Sequence, residues 1–150
     1  MQTTRSAAAP DLSRGPDRAL RVLVIDDEDN VRNVFGDFLE ALGHEPDLAA
    51  DGADGLRRFA RDRHDLVLTD MLMPGLSGLE VARTLRREDP DLPIIVISGS
   101  ADPFDVRQFE HGSITFLRKP VGLAEFEHAI EAEISPRSGG ARRPAGAGGR

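Results

Sequence analysis

Five side chains that could take part in chemistry stand where short apolar runs of the sequence end. They are Asp26, Asp27, Asp70, Ser98 and Lys119. Three carboxylates held close together repel one another, and a hard divalent cation with oxygen ligands offsets that repulsion. A carboxylate can also attack phosphorus to form an aspartyl-phosphate, whose charge a metal ion and fixed donors stabilise. These residue types therefore predict metal-assisted phosphoryl transfer to an aspartate, provided that the fold brings them together.

Lys119 is the most informative member of this set because it is the only lysine in the chain, beside 18 arginines. A planar guanidinium does not replace a compact ammonium in a confined site. Taken alone, Ser98 is explained as an ordinary hydroxyl at a strand end, and Asp26 with Asp27 as a polar, helix-capping loop. Their combination with Asp70 and Lys119 indicates chemistry.

The elements that would position these residues alternate between strand and helix. Apolar runs that contain β-branched residues predict four strands, at about residues 20–25, 66–69, 93–98 and 114–118, and a weaker pattern predicts a fifth at about residues 46–50. Apolar residues at helical spacing predict five helices, at about residues 31–42, 53–61, 79–85, 103–110 and 123–130. Gly43 is expected to cap the first helix, and Asp102 with Pro103 to open the fourth.

Five such units predict an α/β protein with a doubly wound parallel sheet that helices cover on both faces. Ligands of such sheets bind at the carboxyl ends of the strands, near the point where the strand order reverses. All five candidate side chains come at strand ends of this kind, so the topology predicts that they meet at one edge of the sheet.

Charge and composition exclude several classes of function and of site. Of the net charge of −7, residues 1–19 contribute +1 and residues 135–150 contribute +4, so residues 20–134 carry −12. An acidic body of this kind argues against a nucleic-acid surface. The chain has no cysteine, which excludes disulfides and thiolate metal sites.

The composition of the two ends predicts disorder at residues 1–19 and 135–150, which leaves residues 20–134 as one domain. Residues 1–10 lack a secretory signal, and apolar runs such as residues 94–97 are far too short to span a bilayer. A cytoplasmic location without membrane contact is therefore expected.

Four segments carry a family resemblance. They are residues 22–28 (VLVIDDE), 65–78 (DLVLTDMLMPGLSG), 93–99 (PIIVISG) and 116–120 (FLRKP). In this order and spacing, they resemble the receiver domains of two-component response regulators, the CheY-like superfamily, over about residues 20–134. The resemblance implies the flavodoxin-like receiver fold, with strand order 2-1-3-4-5 and five helices. About 17 residues follow Glu133, too few for an output domain, so a stand-alone domain is expected.

The resemblance also implies roles around the phosphoryl group. Asp70 matches the phosphoacceptor, Lys119 the ammonium that contacts the phosphoryl group, and Ser98 the switch hydroxyl. Phe116 matches the aromatic switch position, and the peptide bond between Lys119 and Pro120 is expected to be cis. The stretch between Ser98 and Lys119 is about one residue shorter than is usual in the family, which affects the output face more than the site.

A divalent cation, Mg²⁺ or Mn²⁺, is implied in the same way. Asp27 matches the direct metal ligand, and Asp26 the acid that holds metal-bound water. Asp70 and the backbone carbonyl of Leu72 match further ligands. Leu72 and Ser100 also match the positions where polar side chains help to orient the hydrolytic water. Because neither offers an acid or an amide there, a long-lived aspartyl-phosphate is expected.

The implied partners are a histidine kinase or a histidine phosphotransfer protein as phosphoryl donor, and an unidentified downstream protein as target. The resemblance implies a phosphoacceptor rather than an enzyme, as a monomer or a phosphorylation-dependent dimer. Because no output domain is expected, direct DNA binding is not expected either.

Two other classes of protein share part of this chemistry or of this topology. A phosphatase of the haloacid-dehalogenase type also forms an aspartyl-phosphate with Mg²⁺, but its nucleophile lies in an Asp-x-Asp motif after the first strand, where this chain has adjacent acids. A flavodoxin-like FMN carrier needs a phosphate loop rich in hydroxyls and glycine there. The acidic loop at Asp26 and Asp27 would repel a phosphate.

Overall fold

The computed structural model describes residues 19–99 and 114–134. The strands are β1 (Arg21–Ile25), β2 (Glu45–Ala49), β3 (Leu66–Asp70), β4 (Ile94–Ser98) and β5 (Ile114–Arg118). The helices of the described ranges are α1 (Asp29–Ala41), α2 (Gly52–Arg58), α3 (Gly78–Glu88) and α4 (Leu123–Ile134). All strand pairs are parallel, and the order is β2-β1-β3-β4-β5. The predicted α/β architecture and strand order are confirmed.

Helices pack on both faces of the sheet because its central strands are apolar on both sides. In β1, Val22 and Val24 face the cluster that α1 and α4 cover, whereas Leu23 and Ile25 face the cluster that α2 and α3 cover. Burying a side chain of this size stabilises the fold by about 1.5–3 kcal/mol. This two-sided burial makes the strand ends a rigid platform for the residues that follow them.

Aromatic side chains join α1 to α4 on the first face. The rings of Phe35 and Phe126 are stacked with centroids 5.5 Å apart, and Phe38 meets Phe126 edge-on at 5.3 Å. Contacts of this kind between aromatic rings contribute about 0.5–1.5 kcal/mol beyond burial. They hold the start of α4, which follows Lys119, against the helix that follows Asp27.

Local signals set most helix ends. Gly43 has a φ of 88°, which glycine adopts without strain, and it follows α1 as predicted. Ser77 and Glu80 form a capping box at the start of α3. The second helix is shorter than predicted and ends at Arg58, because Phe59 turns to an extended backbone and packs into the core.

Some of the sequence-based predictions concern residues that the structure does not describe. The predicted fourth helix at residues 103–110 lies outside the described residues, as do the ends at 1–18 and 135–150 that are predicted to be disordered. None of the helices in the described ranges has the length and apolarity that crossing a membrane requires.

Candidate functional site

Asp26, Asp27 and Asp70 converge at the carboxyl edge of the sheet. Because β1 and β3 are neighbours and Ile25 pairs with Thr69, the residues that follow them lie side by side. One carboxylate oxygen from each of the three aspartates lies within 4.8 Å of the other two. Asp26 and Asp70 are buried, at 1% and 7% exposure, whereas Asp27 is exposed. The convergence expected from the sequence is present in the structure, although Asp70 is the last residue of β3 rather than the first after it.

Lys119 reaches this cluster from the end of β5. Its Nζ lies 2.9 Å from Oδ1 of Asp70. The backbone N–H of Lys119 donates a 2.9 Å hydrogen bond to the carbonyl of Ser98, which ties the ends of β4 and β5 together. The peptide bond between Lys119 and Pro120 is cis, as expected. The described residues therefore place a cation directly against the expected phosphoacceptor.

Asp26 and Asp70 resist ionisation in this setting. Burial raises the pKa of Asp26 to about 6, and the charges of Asp70 and Asp27 add to the effect. A hydrogen bond of 2.9 Å from the backbone N–H of Glu28 to Oδ1 of Asp26, together with Lys119, offsets part of it. The pKa of Asp70 is also raised, mainly by burial, although the hydrogen bond from Lys119 opposes the change.

For Lys119, in contrast to the two aspartates, the setting favours the charged form. Burial alone would lower the pKa of this ammonium, but its hydrogen bond to Asp70 and the charges of Asp26 and Glu28 outweigh burial, so that the pKa is raised. The lysine is therefore charged at neutral pH. One ammonium against three converging carboxylates leaves the cluster with excess negative charge.

This electrostatic state fits a hard divalent cation. The three carboxylates supply the hard oxygen ligands that Mg²⁺ and Mn²⁺ prefer, and a cation would stabilise their charged forms against burial and mutual repulsion. We infer that Asp26, Asp27 and Asp70 are the residues that would hold it.

Gly78 ends the segment at residues 65–78 that resembles the family, but the sequence alone assigns it no role in the site. At this first residue of α3, a Cβ would stand 2.2 Å from the backbone oxygen of Asp70, and the N–H of Gly78 donates a 2.8 Å bond to the carbonyl of Met71. Any side chain there would push the helix away from the phosphoacceptor. The signal in the sequence is the glycine pair Gly75 and Gly78 soon after Asp70, which marks a tight turn and a close approach.

The comparison with known families decides the class of this site. The sequence model described as "Response regulator receiver domain" matches residues 22–131. This chain belongs to that family. Family membership favours the receiver over the haloacid-dehalogenase phosphatase and the FMN carrier, and it agrees with the parallel sheet and the acidic edge.

Relatives of this receiver support the assignment. The response regulator MprA of Mycobacterium leprae is 38% identical over 114 residues, which are 75% of this chain and 50% of that protein. A receiver domain protein from Clostridium thermocellum, solved as a crystal structure, has a TM-score of 0.71 at 33% identity, covering 77% of this chain and 94% of the other. The response regulator TrrA from Thermotoga maritima, solved in complex with Mg²⁺-BeF, has a TM-score of 0.66 at 32% identity and covers 76% and 98%. The chain spans about half the length of the curated relatives it matches.

Of the remaining expected residues of this receiver, Leu72 and Ser98 lie at the same edge, whereas Phe116 is the middle residue of β5. Leu72 is 66% exposed just beyond Asp70. Ser98 ends β4 and is partly buried. Phe116 is partly buried and packs against the cluster that α2 and α3 cover. Ser100 lies outside the described residues.

Proposed function

We propose that this receiver accepts a phosphoryl group on Asp70 from a phosphohistidine of a histidine kinase or a phosphotransfer protein. The observation that carries the proposal is the 2.9 Å contact between Lys119 and Asp70 inside a cluster of three carboxylates. Mg²⁺ or Mn²⁺ would be held by Asp26, Asp27, Asp70 and the backbone carbonyl of Leu72. When bound, the cation supplies charge neutralisation for the phosphoryl oxygens.

The residues divide the transfer step between them. A carboxylate oxygen of Asp70 forms the bond to phosphorus while the P–N bond of the phosphohistidine breaks. The released imidazole keeps the electron pair of that bond and takes a proton from solvent. The ammonium of Lys119 then exchanges its hydrogen bond with the Asp70 carboxylate for one with a phosphoryl oxygen, which places a fixed positive charge where negative charge accumulates.

We also propose that Ser98 and Phe116 transmit the change. The hydroxyl of Ser98 would donate to the phosphoryl group, and Phe116 would move inward behind it, altering the face beside β5 and α4. The carbonyl of Ser98 accepts the backbone hydrogen bond of Lys119, so one phosphoryl group would affect both residues. The output would be the binding of a downstream protein or relay of the phosphoryl group, without direct DNA binding. Local charge changes that bias a bistable element are the usual basis of such switches.

The proposal is tested with acetyl phosphate as donor. In the presence of Mg²⁺, each chain is expected to take up one phosphoryl group, which alkali removes because acyl phosphates hydrolyse readily. Intact-protein mass spectrometry measures the uptake, and excess EDTA is the control that removes the cation. Absence of uptake at any Mg²⁺ concentration, or an alkali-stable product, would contradict the proposal.

Lys119→Arg is expected to slow labelling by about tenfold, less than the roughly 10²–10³ that loss of a whole charge-stabilising donor costs. The charge is retained, but the planar, wider guanidinium does not fit the position of an ammonium 2.9 Å from a buried carboxylate. The labelling rate with acetyl phosphate is the measurement. Arg118→Lys, at the exposed preceding position, is the matched control and should label like wild type. A wild-type rate in Lys119→Arg would show that a guanidinium supports phosphoryl transfer as well as the lysine ammonium does.

Leu72→Asn is expected to shorten the life of the phosphorylated form several-fold. Leu72 is 66% exposed beside Asp70 and offers no donor or acceptor, so it leaves the hydrolytic water without orientation. The measurement is the first-order loss of phosphate after removal of the donor. Val34→Asn, an exposed apolar residue on α1, is the control. Equal rates for wild type and Leu72→Asn would mean that Leu72 only covers the edge of the sheet.

A further inference from the structure

Arg32, in the first turn of α1, fastens the loop that carries two of the carboxylates. Its Nη1 donates a 2.8 Å hydrogen bond to the backbone oxygen of Asp26, and its Nη2 donates a 2.5 Å bond to Oδ1 of Asp29. The side chain of Arg32 is 15% exposed, whereas that of Asp29 is 80% exposed. The guanidinium therefore lies against the loop rather than extending into solvent.

The bond to the carbonyl of Asp26 fixes the neighbouring residue as well. The carbonyl of Asp26 and the amide nitrogen of Asp27 belong to one planar peptide unit. A hydrogen bond to that oxygen therefore fixes the orientation of the peptide and the direction in which the Asp27 side chain projects. On the other side, the N–H of Asp26 is held by the carbonyl of Ala49 at 3.2 Å. Asp27 is exposed, so packing restrains its carboxylate little, and the orientation of this peptide determines where its side chain begins.

We propose that Arg32 is a positioning residue for the divalent-cation site, acting through the peptide between Asp26 and Asp27. This inference rests on the metal site of the proposed function. A guanidinium is a cation with donors only and cannot bind the metal itself. Without its hydrogen bond to the carbonyl, the four consecutive acids at residues 26–29 would spread apart under their mutual repulsion. Loss of an outer partner that orients a ligand typically lowers metal affinity by about 10- to 100-fold.

Mn²⁺ binding to the full, unphosphorylated chain tests the inference without reference to activity. Electron paramagnetic resonance of free Mn²⁺ gives the dissociation constant for wild type, Arg32→Met and Arg32→Lys. We expect it to rise about tenfold in Arg32→Met. In Arg32→Lys the rise is expected to be smaller, because one ammonium reaches the carbonyl or Asp29 but cannot span both. Arg83→Met, at an exposed position of α3, is the matched control and should bind as wild type does.

A second readout separates positioning from a general loss of structure. With acetyl phosphate as donor, the Mg²⁺ concentration for half-maximal labelling should rise in Arg32→Met by the same factor as the Mn²⁺ dissociation constant. The maximal rate at saturating Mg²⁺ should stay near the wild-type value, because Asp70 and Lys119 are unchanged. A fall in the maximal rate with unaltered Mg²⁺ dependence would overturn the inference.

The outcomes also separate this inference from the proposed function. If wild type binds Mn²⁺ more tightly than Asp27→Asn does, but Arg32→Met binds like wild type, the inference is wrong and the metal site stands. If wild type and Asp27→Asn bind equally weakly, the metal site itself is wrong, and the inference falls with it. Circular dichroism checks that each variant is folded. Should Arg32→Met fail to fold, Arg32→Lys decides, and wild-type affinity in that variant would overturn the inference.

Discussion

Asp70→Asn is expected to abolish labelling by acetyl phosphate under conditions in which the wild-type chain takes up one phosphoryl group. A neutral amide lacks the anionic oxygen that attacks phosphorus, so the transfer step has no nucleophile. Asparagine has nearly the same shape as aspartate, and Asp70 is 7% exposed at the end of a central strand, so the fold should be kept. The variant therefore removes the nucleophile and keeps the fold.

Intact-protein mass spectrometry after incubation with donor and Mg²⁺ measures this effect. Asp62→Asn is the matched control because Asp62 is exposed in the loop before β3, and it should label as wild type does. Asp26 and Asp27 are the other carboxylates near the donor, so the labelled peptide of the wild type should also be identified. Uptake by Asp70→Asn at the wild-type level would refute the assignment of Asp70 as phosphoacceptor.

The sheet and the meeting of the carboxylates could be predicted from the sequence. The run at residues 66–68 is apolar at every position, which is typical of strands buried on both faces, and Thr69 and Asp70 follow it. A parallel sheet places all such ends at one edge, so the convergence follows from topology without knowledge of any contact. The order of the strands came from the family resemblance rather than from the apolar pattern.

Other features depend on contacts that a one-dimensional pattern does not contain. The second helix ends at Arg58, where Phe59 becomes extended and packs against the core, a tertiary effect that overrides the helical spacing. The closeness of Gly78 to the backbone of Asp70 depends on how α3 packs, and the bond from Arg32 to the carbonyl of Asp26 depends on one side-chain conformation. The raised pKa of Asp26 likewise depends on burial and on neighbouring charge, which appear only after folding.

Asp26→Asn is expected to raise the free energy of unfolding of the metal-free protein at pH 8 by about 1–3 kcal/mol. Burial, followed by the charges of Asp70 and Asp27, raises the pKa of Asp26 from 3.8 to about 6. At 1.36 kcal/mol per pKa unit, ionised Asp26 destabilises the folded state by roughly 3 kcal/mol, taken as an upper limit. Asparagine removes that charge, and its side-chain oxygen can still accept the hydrogen bond from Glu28.

The pH dependence provides the sharper test. Between about pH 4 and pH 6, the folded state keeps a proton on Asp26 that the unfolded state has lost, so the free energy of unfolding falls as the pH rises through this window. Below it both states are protonated, and above it both are ionised. The raised pKa of Asp70 acts in the same direction. Asp26→Asn should therefore lose stability less steeply than wild type between pH 4 and pH 7, and the two curves should converge at the acid end.

Urea unfolding in EDTA across this pH range is the measurement, with Asp37→Asn, an exposed acid on α1, as the control. Adding Mg²⁺ at pH 8 should stabilise wild type more than Asp26→Asn, because a ligand that binds the folded state alone adds its binding free energy to the free energy of unfolding. A wild-type protein that gains stability over Asp26→Asn as the pH rises would show that the carboxylate is stabilised in the fold. The ionised carboxylate would then not be destabilised by burial and neighbouring charge, as a site that awaits a cation requires.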